Sequence, residues 1–244
     1  MTTDSIVIGS DSKATTTDGL KATSLCKIGS THGIFWAFSE YSRDTGLNFS
    51  VDVTVHKAME TKGSLAERVV TFEKMIKPEL KRNIEIRMAG SGDEWFRARA
   101  EGKPVLEVLF AAFENEKPLL LCRTFIAHRV GDRIKIDSVT IPAPEVRPEA
   151  PITLALGHHE TIDNMAPEEK ASLVLNLGVE GAVRALVEKE IAACPKFVGP
   201  PIAVVHIYTT GPRWISYGSC SQPPGAIADI RILSNTDSRC DEAP

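Results

Sequence analysis

The run Ile34-Phe-Trp-Ala-Phe38 is apolar at every position. Side chains on a strand alternate between its two faces, so a run without polar alternation predicts a strand with an apolar layer on each side. The rest of the chain has to supply those layers. Residues 5–39 read as consecutive strands: the β-branched Ile6, Val7 and Ile8 end at Gly9, and Asp18-Gly19 is a tight-turn signal.

Covering elements follow in order. Residues 47–60 read as a helix despite the β-branched Val51, Val53, Thr54 and Val55. Ser64 with Glu67 three residues on is a capping box, and Leu65, Val69, Phe72, Ile76 and Leu80 fall on one helical face. That pattern predicts a helix over 64–82, with Pro78 placed to kink it. Val105 to Phe113, Leu119 to His128 and Arg133 to Val139 are strand-like and separated by turn-forming residues, which predicts an antiparallel meander. A Pro-rich connection over 142–151 leads to a short strand over 152–156.

A second long helix is expected from Pro167, with Glu168 and Glu169 in its first turn, and it stops before Pro195. Its apolar face is Leu173, Leu177, Val183, Leu186, Val187 and Ile191. Ile202 to Thr209 reads as a core strand that turns at Gly211-Pro212 toward Trp214-Ile-Ser216, and residues 221–244 as a polar, extended tail. The expectation is therefore an α+β domain over 1–220 followed by a tail over 221–244. Helices in both intervals would cover the outer faces of two stacked antiparallel sheets, a four-layer αββα sandwich, although periodicity alone permits other α+β folds.

Composition narrows the function. With 244 residues, 43% hydrophobic and 25% charged, the chain is long enough for a substantial core. A net charge of -4 gives no basic footprint for nucleic acid and no polybasic membrane patch, and no apolar run approaches the roughly 20 residues of a membrane span. The five cysteines Cys26, Cys122, Cys194, Cys220 and Cys240 are far apart and odd in number, with no Cys-x-x-Cys. That pattern argues against a disulfide framework or a zinc site and for a reducing cytoplasm.

Charged residues at the ends of the first strands carry the chemistry. Asp11 closes a β run and Lys27 follows sixteen residues later in another, a strand–hairpin–strand spacing that allows the two side chains to meet. The residue pattern alone also fits a turn aspartate and a solvated lysine. A Thr or Ser at a mature N-terminus can use its own α-amino group as general base, with a basic neighbour to lower the hydroxyl's pKa and a carboxylate to hold that neighbour.

The stretch Gly9-Ser-Asp-Ser-Lys-Ala-Thr15, with Lys27 beyond it, resembles the start of a proteasome β-type subunit, a threonine peptidase of the N-terminal-nucleophile class. Val198-Gly-Pro-Pro-Ile-Ala-Val-Val205 after the long helix resembles that family's entry into a core strand. The resemblance implies the N-terminal-nucleophile αββα fold, Asp11 and Lys27 as the catalytic pair, and Lys13 at the family's arginine position, lining and supporting the site. It implies a homo-oligomer or ring, a peptide or unfolded-protein substrate if the chain is active, and no cofactor.

Three departures stand beside it. No strand precedes Ile6 to carry a nucleophile, and Thr2 is too close to Asp11 to serve, so the nucleophile strand is expected upstream of Met1. Cys194-Pro-Lys-Phe-Val198 lacks the Asp and Ser that orient the terminal amine in the family. The family's Gly-Ser-Gly turn falls near Leu156-Gly-His-His159, where only the glycine matches. These departures support the alternative of a non-catalytic structural or assembly subunit of such a ring.

Other groups weigh less. His158-His159-Glu160 with Asp163 has metal-ligand residue types, but neighbouring histidines on a strand face opposite ways, and a polar loop before a helix fits as well. Cys26, near His32, is a conceivable nucleophile, or a small buried hydrophobe. Ser219-Cys220-Ser221 lacks a nucleophile elbow and reads as a loop, Gly90-Ser-Gly92 as a helix end, and Phe35, Trp36 and Phe38 as core.

Overall fold

A computed structural model of the chain describes residues 4–15, 22–40, 43–44, 49–142, 155–157 and 159–220. The Asp18-Gly19 turn, the connection over 143–151, most of the short strand expected over 152–156, His158, Cys240 and the tail lie outside the described residues.

The chain opens with β1 (Ser5–Ser10), β2 (Lys13–Thr15), β3 (Ala22–Ser24), β4 (Ile28–Thr31), β5 (Ile34–Glu40), β6 (Arg43–Asp44) and β7 (Phe49–Ser50). Helices α1 (Val51–Met59) and α2 (Leu65–Arg99) precede the meander β8 (Pro104–Glu114), β9 (Lys117–Val130) and β10 (Arg133–Pro142). The last elements are α3 (Glu160–Asp163), α4 (Pro167–Ala193), β11 (Ala203–Tyr208) and β12 (Gly211–Tyr217). The architecture is mixed α+β, with an antiparallel five-stranded sheet in the order β10-β9-β8-β5-β4 and an antiparallel three-stranded sheet in the order β1-β11-β12.

The apolar run on β5 divides as its alternation requires. Ile34, Trp36 and Phe38 join α1, α2 and the even-numbered face of β8 in one cluster. Phe35 and Ala37 join Leu109, Ala111, Ile6, Ile8, Val205 and Ile207 in a second cluster that lies between the two sheets. Gly29 makes the first arrangement possible, because a Cβ there would come within 2.3 Å of the Trp36 indole. The indole is buried, and its Nε1 donates to Asp52 Oδ1 at 2.9 Å in the first turn of α1.

Both halves of the Ser64–Glu67 capping box form, and Leu65, Val69, Phe72, Ile76 and Leu80 are each at most 1% exposed. The helix runs well past the expected end at 82. Pro78 lies on the exposed side, and the break in helical geometry comes instead at Gly92 (φ 81°, ψ 171°). The stretch after Gly92 is held by Asp93, whose carboxylate takes two hydrogen bonds from Arg129 at 2.6 and 2.7 Å, and by buried Phe96 under the same guanidinium.

Helix α4 packs on β1 and β11 across the other face of the three-stranded sheet. It too is interrupted by a glycine, Gly178 (φ 69°, ψ 172°). The break shifts the helical phase, so Leu177, expected on the buried face, is 53% exposed, while Ala182, Leu186 and Glu190 are buried. Glu180 joins the helix to the sheet: its Oε1 lies 2.5 Å from His206 Nδ1 on β11 and accepts from Arg213 on β12. No helix among the described residues is long and apolar enough to cross a membrane.

Two outcomes test this packing. Phe72 meets Phe110 and Phe125 edge-on. Phe72→Ala is expected to lower unfolding free energy by about 3–5 kcal/mol in urea titrations. Burial opposes the charge on Glu180, but the hydrogen bonds from His206 and Arg213 outweigh it and hold the carboxyl below its ordinary value of 4.5. Its stabilising effect is therefore complete above that value and disappears as pH falls through the lower folded-state value. Glu180→Gln is expected to flatten the acid limb of the stability curve measured between about pH 3 and 7.

Candidate active site

Asp11 follows β1 directly, at the point where the chain leaves the three-stranded sheet for the β2–β3 hairpin. Lys27 lies in the irregular stretch between that hairpin and β4. The hairpin returns the chain, and Leu25 N donates to Ser12 O at 2.7 Å, which sets the Lys27 segment beside Asp11. Lys27 Nζ donates to Asp11 Oδ1 at 2.7 Å, with side chains only 19% and 13% exposed.

The other carboxylate oxygen of Asp11 is engaged as well. Oδ2 accepts from the backbone N–H of Lys13 at 2.9 Å and from that of Gly199 at 3.2 Å. Ser12 N donates back to Gly199 O at 3.1 Å. Gly199 approaches closely: a Cβ there would come within 2.9 Å of the Lys13 side chain. Asp11 is thereby fixed by three donors, one of them the Lys27 ammonium, and its anchored carboxylate orients that lysine.

The structure brings Asp11 and Lys27 together and turns Lys13 aside. Lys13 touches the pair through its backbone N–H, while its Nζ donates to Pro195 O. Its side chain braces the turn after α4, which is further closed by Phe197 N and Val198 N donating to Cys194 O at 3.1 and 2.9 Å.

The cysteines overturn an expectation. Cys26 and Cys220 form a disulfide across 194 positions, and Cys194 is also disulfide-bonded. Cys26 is thus neither a free nucleophile nor a reduced buried thiol, and the cysteine argument for a reducing cytoplasm falls, since such bonds persist in oxidising surroundings. Spacing missed the pair because the fold, and no local motif, brings the ends together. The free thiol Cys122 is buried between the sheets, where burial, with the negative charge of Glu107 adding to it, pushes it up to about 12.

Glu107 is a buried carboxylate that the sequence reading passed over. It accepts from Gly157 N at 2.8 Å, Ser39 Oγ at 3.2 Å and Thr124 Oγ1 at 3.3 Å. It pins the Gly157 turn to the five-stranded sheet, and a Glu inside the apolar run Val105-Leu-Glu-Val-Leu was the available signal. His159 Nδ1 lies 2.8 Å from Asp163 Oδ2, an ordinary contact one helical turn apart, and no metal-holding cluster occurs among the described residues.

No protein-family model matches the chain, and a search of curated proteins found no match.

Removing the carboxylate of Asp11 would strand a partly buried ammonium and two backbone donors. Asp11→Ala is expected to lower stability by about 2–4 kcal/mol in denaturant titrations, and Asp11→Asn, which keeps an acceptor, by less.

Proposed function

We propose that the two sheets and their helices form the four-layer αββα sandwich of the N-terminal-nucleophile class. In this reading the chain is a proteasome-like threonine-type peptide hydrolase, with Lys27 and Asp11 in the active site. The carrying observation is the 2.7 Å Lys27–Asp11 pair, whose carboxylate is locked by Lys13 N and Gly199 N. Supporting it, α1 and α2 lie on one sheet, α4 on the other, and an apolar cluster between them.

The nucleophile is proposed to lie on a strand ahead of Met1, seated along β1, which is one of the two edges of its sheet among the described residues. Its hydroxyl oxygen would attack a peptide carbonyl carbon while the terminal amine takes the hydroxyl proton. The Lys27 ammonium stabilises the developing oxyanion of the nucleophile, and Asp11 holds Lys27 in place. The amine then returns the proton to the leaving amide nitrogen, and water cleaves the acyl ester.

One observation favours the second reading, a non-catalytic ring subunit. The turn Cys194–Val198 closes on its own carbonyl and on Lys13, and it offers no Asp or Ser side chain to orient an amine.

Intact mass and terminal sequencing of the protein from its native host separate the two. A mature Thr, Ser or Cys upstream of Met1 is expected, together with peptide hydrolysis whose kcat/KM falls by about 100-fold or more in Lys27→Ala. A start at Met1 or Thr2, no hydrolysis and a ring by native mass spectrometry would establish the assembly role. A monomer without activity would remove both.

A further inference from the structure

We propose that the Cys26–Cys220 disulfide is a redox control on the Asp11–Lys27 pair, holding it closed when oxidised and releasing it when a dithiol reduces the bond. The proposal goes beyond the hydrolase reading and does not depend on it, because it concerns the geometry of the pair in a catalytic or a non-catalytic chain.

The bond joins the two segments that flank the pair. On one side Cys26 directly precedes Lys27, in a stretch outside any regular strand. Backbone hydrogen bonds from Leu25 N to Ser12 O at 2.7 Å and from Phe38 N to Lys27 O at 3.3 Å hold that stretch. On the other side Cys220 ends a turn whose Gly218 takes a positive φ of 55°, with Cys220 N donating to Tyr217 O at 2.7 Å. In that turn Ser219 N donates to Ser12 Oγ at 3.3 Å. Ser12 is 1% exposed and stands between Asp11 and Lys13 in the chain. Both disulfide arms therefore bear on the same buried serine, and through it on Asp11.

Cys26 is half-buried and Cys220 buried, so reagents reach the Cys26 side. A dithiol thiolate bonds to Cys26 Sγ, the Sγ–Sγ bond breaks, and Cys220 leaves as a thiolate that takes up a proton. The second thiol of the reductant then attacks the mixed disulfide and frees Cys26. The protein gains two electrons and two protons, and the dithiol becomes a disulfide. Freed of the cross-link, the Lys27 stretch and the 218–220 turn move apart, and the ammonium leaves its carboxylate.

Competitive acetylation of lysine amines in the full chain, read residue by residue by mass spectrometry, tests this. Three forms are compared: oxidised, dithiothreitol-reduced, and Cys26→Ser/Cys220→Ser, the last because dithiothreitol also acts on the Cys194 disulfide. Lys27 labelling is expected to rise at least about threefold in the reduced chain and in the double variant. The exposed Lys57 and Lys74 should keep their rates, circular dichroism should be retained, and reoxidation should restore the slow rate of Lys27. Unchanged Lys27 labelling with the bridge shown open by mass would overturn the proposal. So would a rise of all lysines together with loss of the circular dichroism signal, which would make the bond a staple of the whole fold.

Discussion

The structure depends on a sheet that is apolar on both sides. β5 and β8 give alternate side chains to two clusters, one beneath α1 and α2 and one facing the three-stranded sheet. A strand with only one apolar face is content with one partner layer, whereas these strands leave apolar surface in water unless both are present. That requirement places β1 and β11 opposite β5, and so places Asp11, at the end of β1, near the stretch that leads into β4. The candidate site is a by-product of stacking: it forms where the strand ends of the two sheets meet.

Periodicity made most of this legible. The alternating strands of the meander, the capping box and the Leu65 to Leu80 face each depend on neighbours within a few residues, and each occurs where its pattern stands. The spacing of Asp11 and Lys27 across one hairpin allowed their pairing but equally a turn aspartate and a solvated lysine, and it is the fold that closes the pair. Gly199, by contrast, reaches Asp11 from 188 positions away, and nothing in its local sequence announces a donor to a carboxylate. The disulfide is the extreme case, because only the finished fold brings Cys26 and Cys220 together.

Both long helices show how one residue defeats a periodic reading. Gly92 and Gly178 adopt φ values of 81° and 69°, a region that glycine enters freely and other residues rarely do. A helix restarted after such a residue has a new phase. Leu177 follows the face extrapolated from Val183 and Leu186 but lies on the far side of the break. Pro78, the more obvious disturbance, lies on the exposed side, and the helical geometry runs through it as far as Gly92.

The bond between Cys26 and Cys220 also changes the topology of the chain. In the chain-entropy view, closing so long a loop removes about 5 kcal/mol of freedom from the unfolded state. It makes nearly all of the described fold a covalent circle, entered just before Lys27 and left just after Ser219. A protease that nicks one exposed connection inside that circle, such as the turn at Asn115-Glu116, leaves two pieces that remain one molecule, with both sheets still joined.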